Sequence, residues 1–230
     1  MRHIPGLLTI LLLLVAAMRM HAQPSLSSTD QTYGLDPLLH NGSFYSYFIP
    51  SDTEGTPFFS GPDFVTGSVT LRDVRYDHLA LKYDVVNQQL VFQYQNPNGG
   101  VQRLVLSDAW MQSFDLGNIH FELFAAQDTV KHIYQVLGSG SNQVLYGWSK
   151  QRTFDNRMGY SHFKFTKLKK KMYLLSNGDI REFKNNKGFT TLFDPAKQPA
   201  IKKYLMQQHI KVTKATDQVM TGLITYSNSL

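Results

Sequence analysis

The stretch LKYDVVNQQLVFQYQ, from Leu81 to Gln95, alternates twice. Leu81, Tyr83 and Val85 take every second position, and after Asn87 and Gln88 the residues Leu90, Phe92 and Tyr94 do the same. A period of two belongs to a β-strand with one buried face, because successive side chains point to opposite sides. Two such runs joined by a short polar link predict an antiparallel hairpin. With Asn87 and Gln88 as the turn, Val85 faces Leu90, Tyr83 faces Phe92 and Leu81 faces Tyr94. Gln does not favour the positive φ of a tight turn, so a four-residue loop with the same pairing is the alternative. A slip of one residue would send a whole apolar set to the wrong side, and burial therefore holds the face.

The pattern spreads in both directions. VQRLVL (Val101–Leu106) sets Leu104 and Leu106 beside Phe92 and Leu90, and SVTLRDVRYD (Ser68–Asp77) predicts a hairpin with Val69 opposite Tyr76 and Leu71 opposite Val74 across Arg72 and Asp73. Tyr76 and Tyr83 are an odd number of residues apart, so an unbroken strand would point them to opposite faces. Both are wanted on the apolar face, which calls for a bulge or bend near Asp77 and His78. Further strands are expected at Ile119–Phe124, Ile133–Leu137, Gln143–Ser149, Ser161–Leu168, Met172–Leu175 and Ile180–Phe183, with turns at GSGSN and SNGD. Near the end the period changes. Asp194 with Pro195, or a second start at Pro199, opens a helix carrying Ile201, Tyr204 and Leu205; Thr213 opens another carrying Ala215, Val219, Met220, Leu223 and Tyr226. The fold expected is β-rich α+β: an antiparallel meander, strongly curved or sandwich-like, with two short C-terminal helices. Residues 43–192 are mainly strands and 195–227 the helices, within a single globular domain at 23–230.

The N-terminus, MRHIPGLLTILLLLVAAMRMHAQ, has the charge, apolar run and small residue of a secretory signal peptide at residues 1–22, with cleavage after Ala22. The apolar run of about a dozen residues falls short of the ~20 that span a bilayer. The chain holds no cysteine, which excludes disulfides, thiolate chemistry and a lipid-bearing cysteine. A periplasmic or extracellular protein, neither lipoprotein nor membrane-spanning after cleavage, is expected. Charge is uneven: residues 24–149 hold 5 Lys/Arg against 12 Asp/Glu, and residues 150–230 hold 16 against 5. Such asymmetry marks a basic face aimed at a polyanion, or lets two halves of one fold attract.

The succession GSVTLRDVRYDHLALKYDVVNQQLVF, IYQVLGSGSNQVLYGWSK and KMYLLSNGDIREF, with a helical tail ending LITYSNSL, resembles a group of secreted bacterial proteins of this length with no assigned activity. The resemblance implies export and a sheet-plus-helix domain, and carries over no functional residue.

Chemistry is sparse in the motifs. The histidines form no HExxH, HxH or Cys/His pattern. His120 and Glu122 share one side of a strand, opposite Ile119, Phe121 and Leu123, and read as its solvated face. Ser139 and Ser141 lie in a glycine-rich turn without the context of a nucleophile elbow, and the three glutamates (Glu54, Glu122, Glu182) do not identify a glycosidase pair. No catalytic, cofactor-binding or metal-ligating residue is assigned. Two stretches are candidates for binding. HFKFTKLKKKMYLL gathers Lys164, Lys167, Lys169, Lys170 and Lys171, which either shield a sheet edge or bind an anion. The loop SDTEGTPFFSGPDF brings Phe58 and Phe59 forward for a ligand or as a plug for the core. The expected function is non-enzymatic binding of an anionic envelope lipid or glycan, or of an envelope protein, and not of nucleic acid. The alternatives are a carrier of a small apolar ligand in a curved sheet and a hydrolase with loop-borne residues.

Overall fold

The computed structural model of the chain describes residues 33–125, 131–157 and 160–230, and the expected signal peptide lies outside them. The strands are β1 Gly42–Phe44, β2 Val65–Leu71, β3 Val74–Asp84, β4 Gln89–Gln95, β5 Val101–Leu106, β6 Met111–Leu116, β7 Ile119–Ala125, β8 Lys131–Leu137, β9 Asn142–Ser149, β10 Arg152–Arg157, β11 Tyr160–Phe165, β12 Lys169–Ser176 and β13 Asp179–Phe183. The helices are α1 Asn186–Thr191, α2 Gln198–Gln207 and α3 Asp217–Ser229. An open antiparallel sheet of 11 strands runs in the order β1-β5-β4-β3-β2-β6-β7-β8-β9-β12-β13, and β10 and β11 form a separate two-stranded ribbon. The fold is thus β-rich α+β. No helix among the described residues is long and apolar enough to cross a membrane.

The opening stretch forms β3 and β4, and its six apolar residues meet in one cluster. Leu81, Tyr83, Val85, Leu90 and Phe92 are each at most 1% exposed, and Tyr94 packs against them. The register differs from the expected one by two residues: Tyr83 faces Leu90 and Leu81 faces Phe92. An even shift preserves the face, so burial alone does not choose between the two registers. The loop chooses. It has four residues, Val85 to Gln88, because the Asp84 carboxylate accepts from the backbone N–H groups of Val86 (2.9 Å) and Asn87 (3.0 Å), leaving the positive φ to Gln88.

The hairpin of β2 and β3 has the expected pairs, Val69 with Tyr76 and Leu71 with Val74. Its turn residues Arg72 and Asp73 both have positive φ, held by a cation–π contact from Arg72 to Trp110 (3.9 Å) and by paired hydrogen bonds between Asp73 and Gln112 (2.8 Å each). The bulge falls at Asp77 and His78: Gly67 faces Leu79 while Val69 faces Tyr76, and His78 has φ 59. Tyr76 and Tyr83 consequently share the buried face, each 1% exposed.

Three strands escaped the sequence pattern. β1 is short, β10 (RTFDNR) is nearly all polar, and β6 breaks its alternation at Gln112, where the register against β2 shifts and Met111 falls out of phase with Phe114 and Leu116. The link Ser107–Trp110 folds into a turn, Trp110 and Met111 donating to the Ser107 carbonyl (3.2 and 3.0 Å), and joins β5 directly to β6.

Among the described residues the C-terminal part holds three helices where two were expected. Asn185 caps the short α1 by accepting from Gly188 N–H, and a segment of six residues containing glycine shows no helical stripe. The Asp194–Pro195 start is a turn, α2 uses the second start with Pro199 in its first turn, and α3 is capped by Thr216 instead of Thr213. The helices cover the β9 and β12 end of the sheet, where Val144, Tyr146, Met172 and Leu174 pack with Ile201, Leu205, Met220 and Leu223.

Docking of α3 is tight at Gly138, whose φ is +82 and whose missing Cβ would stand 2.5 Å from Ile224 Cγ2. Gly178 has a similar φ of +85 with nothing within 4 Å. Gly138→Ala should lower stability by about 2–3 kcal/mol, combining left-handed strain with overpacking, and Gly178→Ala by about 1 kcal/mol from strain alone. Urea titration checks this as two unequal drops in midpoint at unchanged m.

Candidate functional site

The five candidate lysines do not form one patch. Lys164 lies on β11, in the two-stranded ribbon, and its ammonium is paired with the buried Asp155 of β10. Lys167 is exposed in the link that follows. Lys169, Lys170 and Lys171 open β12, where alternation divides them: Lys169 and Lys171 are exposed on one side, and Lys170 turns to the helix side. There its ammonium sits 4.0 Å from the centroid of the Tyr146 ring. Desolvation holds Lys170 below the ordinary lysine range, against the opposing field of Asp217. β13 pairs with β12 only from Met172 to Ser176, so the three lysines occupy the part of β12 whose ladder runs to β9 alone. Charged side chains at such a border hinder pairing with another chain.

A groove opens beside Lys171. Its floor is Gly147 of β9, directly opposite Tyr134 of β8 on one side and Lys171 of β12 on the other. The rings of Tyr134 and Tyr173 meet edge to face, 5.5 Å between centroids. A Cβ on Gly147 would lie 3.2 Å from the Tyr173 ring and 3.4 Å from that of Tyr134, so the absent side chain is what lets both rings close over the backbone. Such covering of a strand glycine by cross-strand aromatics also stabilises the sheet itself. His132, Lys150 and Lys171 complete the walls of a cavity of about 490 Å³, and no Asp or Glu is among its described lining residues. Lys150 Nζ donates to the carbonyls of Thr56 (2.9 Å) and Phe58 (2.6 Å), and desolvation lowers its pKa.

Phe58 and Phe59 part company. Residues 57–59 run beside the end of β3 that β2 does not reach: Phe59 N–H donates to Tyr83 O (2.9 Å) and Val85 N–H to Pro57 O (3.1 Å). Neighbours in an extended segment face opposite ways. Phe59 enters the aromatic core against Phe121 and Trp148, 5.3 Å from each, whereas Phe58 lies under the Lys82 ammonium at 4.7 Å on the other side.

The side shared by His120 and Glu122 holds more than those two. His120 Nδ1 lies 2.6 Å from Asp115 and Nε2 3.2 Å from Glu122, while Asp115 also accepts from Ser68 (2.7 Å) and Arg75 (2.9 Å). Asp115 was not legible as a partner because it belongs to β6, the strand whose alternation is broken. Burial would raise the Asp115 pKa, but hydrogen bonds from His120, Ser68 and Arg75 hold it below its usual value. Hydrogen bonds to Glu122 and Asp115 outweigh desolvation at His120 and hold it up at about 8. Both ring nitrogens are engaged by carboxylates and Ser68 donates to Asp115, so the group is an ion cluster and lacks the nucleophile–base contact of covalent catalysis. Among the described residues there is no cluster of three or more His, Cys, Asp or Glu able to hold a metal ion.

No family model, curated protein or solved structure matches the chain.

The His120 cluster has a signature in pH. Its folded pKa of about 8 exceeds the ordinary 6.5, so its stabilisation is complete below pH 6.5 and is lost as the pH rises through about 8. His120→Gln should remove this part of the pH dependence. Urea titrations of both proteins between pH 6 and 9 should converge at the alkaline end.

Proposed function

We propose that residues 23–230 form one exported, non-enzymatic binding domain, and that the Tyr134–Tyr173 groove with its lysine border engages an anionic component of the cell envelope. The observation that carries this reading is the sign of the groove: Lys150 and Lys171 line it, and no carboxylate does among the described residues. Lys167 and Lys169 stand exposed nearby in the chain, so an approaching anion meets several cations that face solvent. The half-buried Tyr173 adds flat apolar surface with a polar tip, backed by the buried Tyr134 ring, which suits a sugar ring or the interfacial zone of a lipid. Export follows from the charged start, apolar run and small residue of the N-terminus.

The sheet is inferred to curl toward its covered face. A four-residue turn joins β5 to β6, which stand four places apart in the strand order, a gap of about 19 Å if the sheet were flat. Gln88 Nε2 likewise reaches Trp148 O at 3.1 Å, with four strands between β3 and β9. Unity of the domain is supported by Trp148, which packs against both large clusters. The carrier reading draws less support, because Phe59, Tyr83, Phe114 and Phe121 fill the space where the sheet would hold its ligand. The hydrolase reading lacks a free base at His120.

The test is sedimentation with anionic and zwitterionic vesicles, and retention on an acidic polysaccharide, at low and high salt. Wild type should bind the anionic surfaces at low salt and release them as salt screens the contact. Lys169→Glu with Lys171→Glu should weaken binding about tenfold or more at unchanged circular dichroism. A wild-type protein that binds none of them at low salt would overturn the reading.

A further inference from the structure

A second groove lies between α1 and α2. Its volume is about 670 Å³, within the range of about 300–1,000 Å³ typical of small-molecule sites. Leu205 and Thr190, both largely buried, line it together with Pro199 and Met206, and Lys187 and Lys202 are also on its walls. Met206 is 67% exposed, although it is a large apolar side chain on an ordered helix. Methionine is a side chain that adapts its shape to an apolar partner.

The walls are held in place before any ligand arrives. Asn186 Nδ2 donates to Ile210 O (2.6 Å) and its Oδ1 accepts from Val212 N–H (2.9 Å), tying α1 to the segment after α2. Gln198 Nε2 donates to Phe193 O (2.8 Å), fixing the start of α2 against the link that precedes it. A groove that is already formed spends little binding energy on ordering.

Charge selects the occupant. From Asn185 to Thr216 the chain carries six lysines and one acidic residue, Asp194, and neither α1 nor α2 contains a carboxylate. An apolar trough with cationic walls complements an amphiphile with an anionic head. Length argues against a partner helix, since α1 has 6 residues and so offers a wall of only about 9 Å. We propose that this groove binds a fatty-acid anion, its chain against Leu205 and Met206 and its carboxylate at Lys187 and Lys202. The site is separate from the Tyr134–Tyr173 groove and stands or falls independently of it.

The test uses the whole chain labelled with ¹³C-methyl methionine and titrated with octanoate, decanoate and dodecanoate below their micellar concentrations. The Met206 methyl signal, identified by its loss in Met206→Leu, should shift saturably, and affinity should rise about fourfold per added methylene. The Lys187→Glu, Lys202→Glu double variant should bind dodecanoate about tenfold more weakly at low salt while keeping the wild-type spectrum elsewhere. Dodecyltrimethylammonium should bind more weakly than dodecanoate to wild type. An unmoved Met206 methyl, equal affinity for the cationic amphiphile, or no gain with chain length would overturn the proposal. So would an acidic amphipathic peptide that shifts this methyl where dodecanoate does not.

Discussion

At Asp77 and His78, β3 carries one residue more than β2 opposite, and that insertion keeps Tyr76 and Tyr83 on the same side of the sheet. The apolar face therefore continues through β3 in both directions, from Val69 and Phe114 on one flank to Phe92 on the other. Without the extra residue, one half of β3 would turn its large side chains to water. Neighbouring contacts offset the backbone strain of a positive φ at His78: Tyr33 OH accepts from Asp77 N–H at 2.7 Å, and the Tyr33 ring packs edge to face on Tyr76.

A second device fixes how far that face extends. Asp84 is fully buried and accepts hydrogen bonds from Tyr45 OH, from the N–H groups of Val86 and Asn87, and from Asn87 Nδ2. A buried carboxylate supplied with donors on all sides is stabilised where an unpaired one would be strongly unfavourable. It shapes the loop that sends Gln88 to the Trp148 carbonyl, and the segment around Phe58 pairs beside it. The β2–β5 half of the sheet is thus joined to β9, and Trp148 carries the contact on to the helices.

The two halves of the molecule use charge differently. In the acidic half, carboxylates are absorbed locally: Asp115 by His120, Ser68 and Arg75, Asp84 by its loop. In the basic half acidic residues are few, and the five candidate lysines divide into Lys164 paired with Asp155, Lys170 laid on Tyr146, and Lys167, Lys169 and Lys171 left to solvent. Exposed cations beside apolar relief recur at the Tyr134–Tyr173 groove and between α1 and α2, which is why both grooves draw anionic ligands in the proposals above.

Period-two alternation was sufficient to place most strands, the buried face, and the bulge that an odd spacing of two tyrosines requires, because each of these depends on neighbours along one chain. The two-residue error in the β3–β4 register, the unseen β6, the cap at Thr216 and the existence of α1 depended on side chains that act across or against that period, such as Asp84 on its loop and Gln112 at its kink. Site geometry lay further from view. Lys164 and Lys170 look alike in HFKFTKLKKK, yet one meets an aspartate and the other a tyrosine ring. Asp115 joins His120 only when β6 and β7 pair. Local pattern therefore determined which residues leave water, while the pairing of distant strands decided which polar groups meet, since hydrogen bonds and ion pairs act over a few ångströms and those separations exist only in the folded chain.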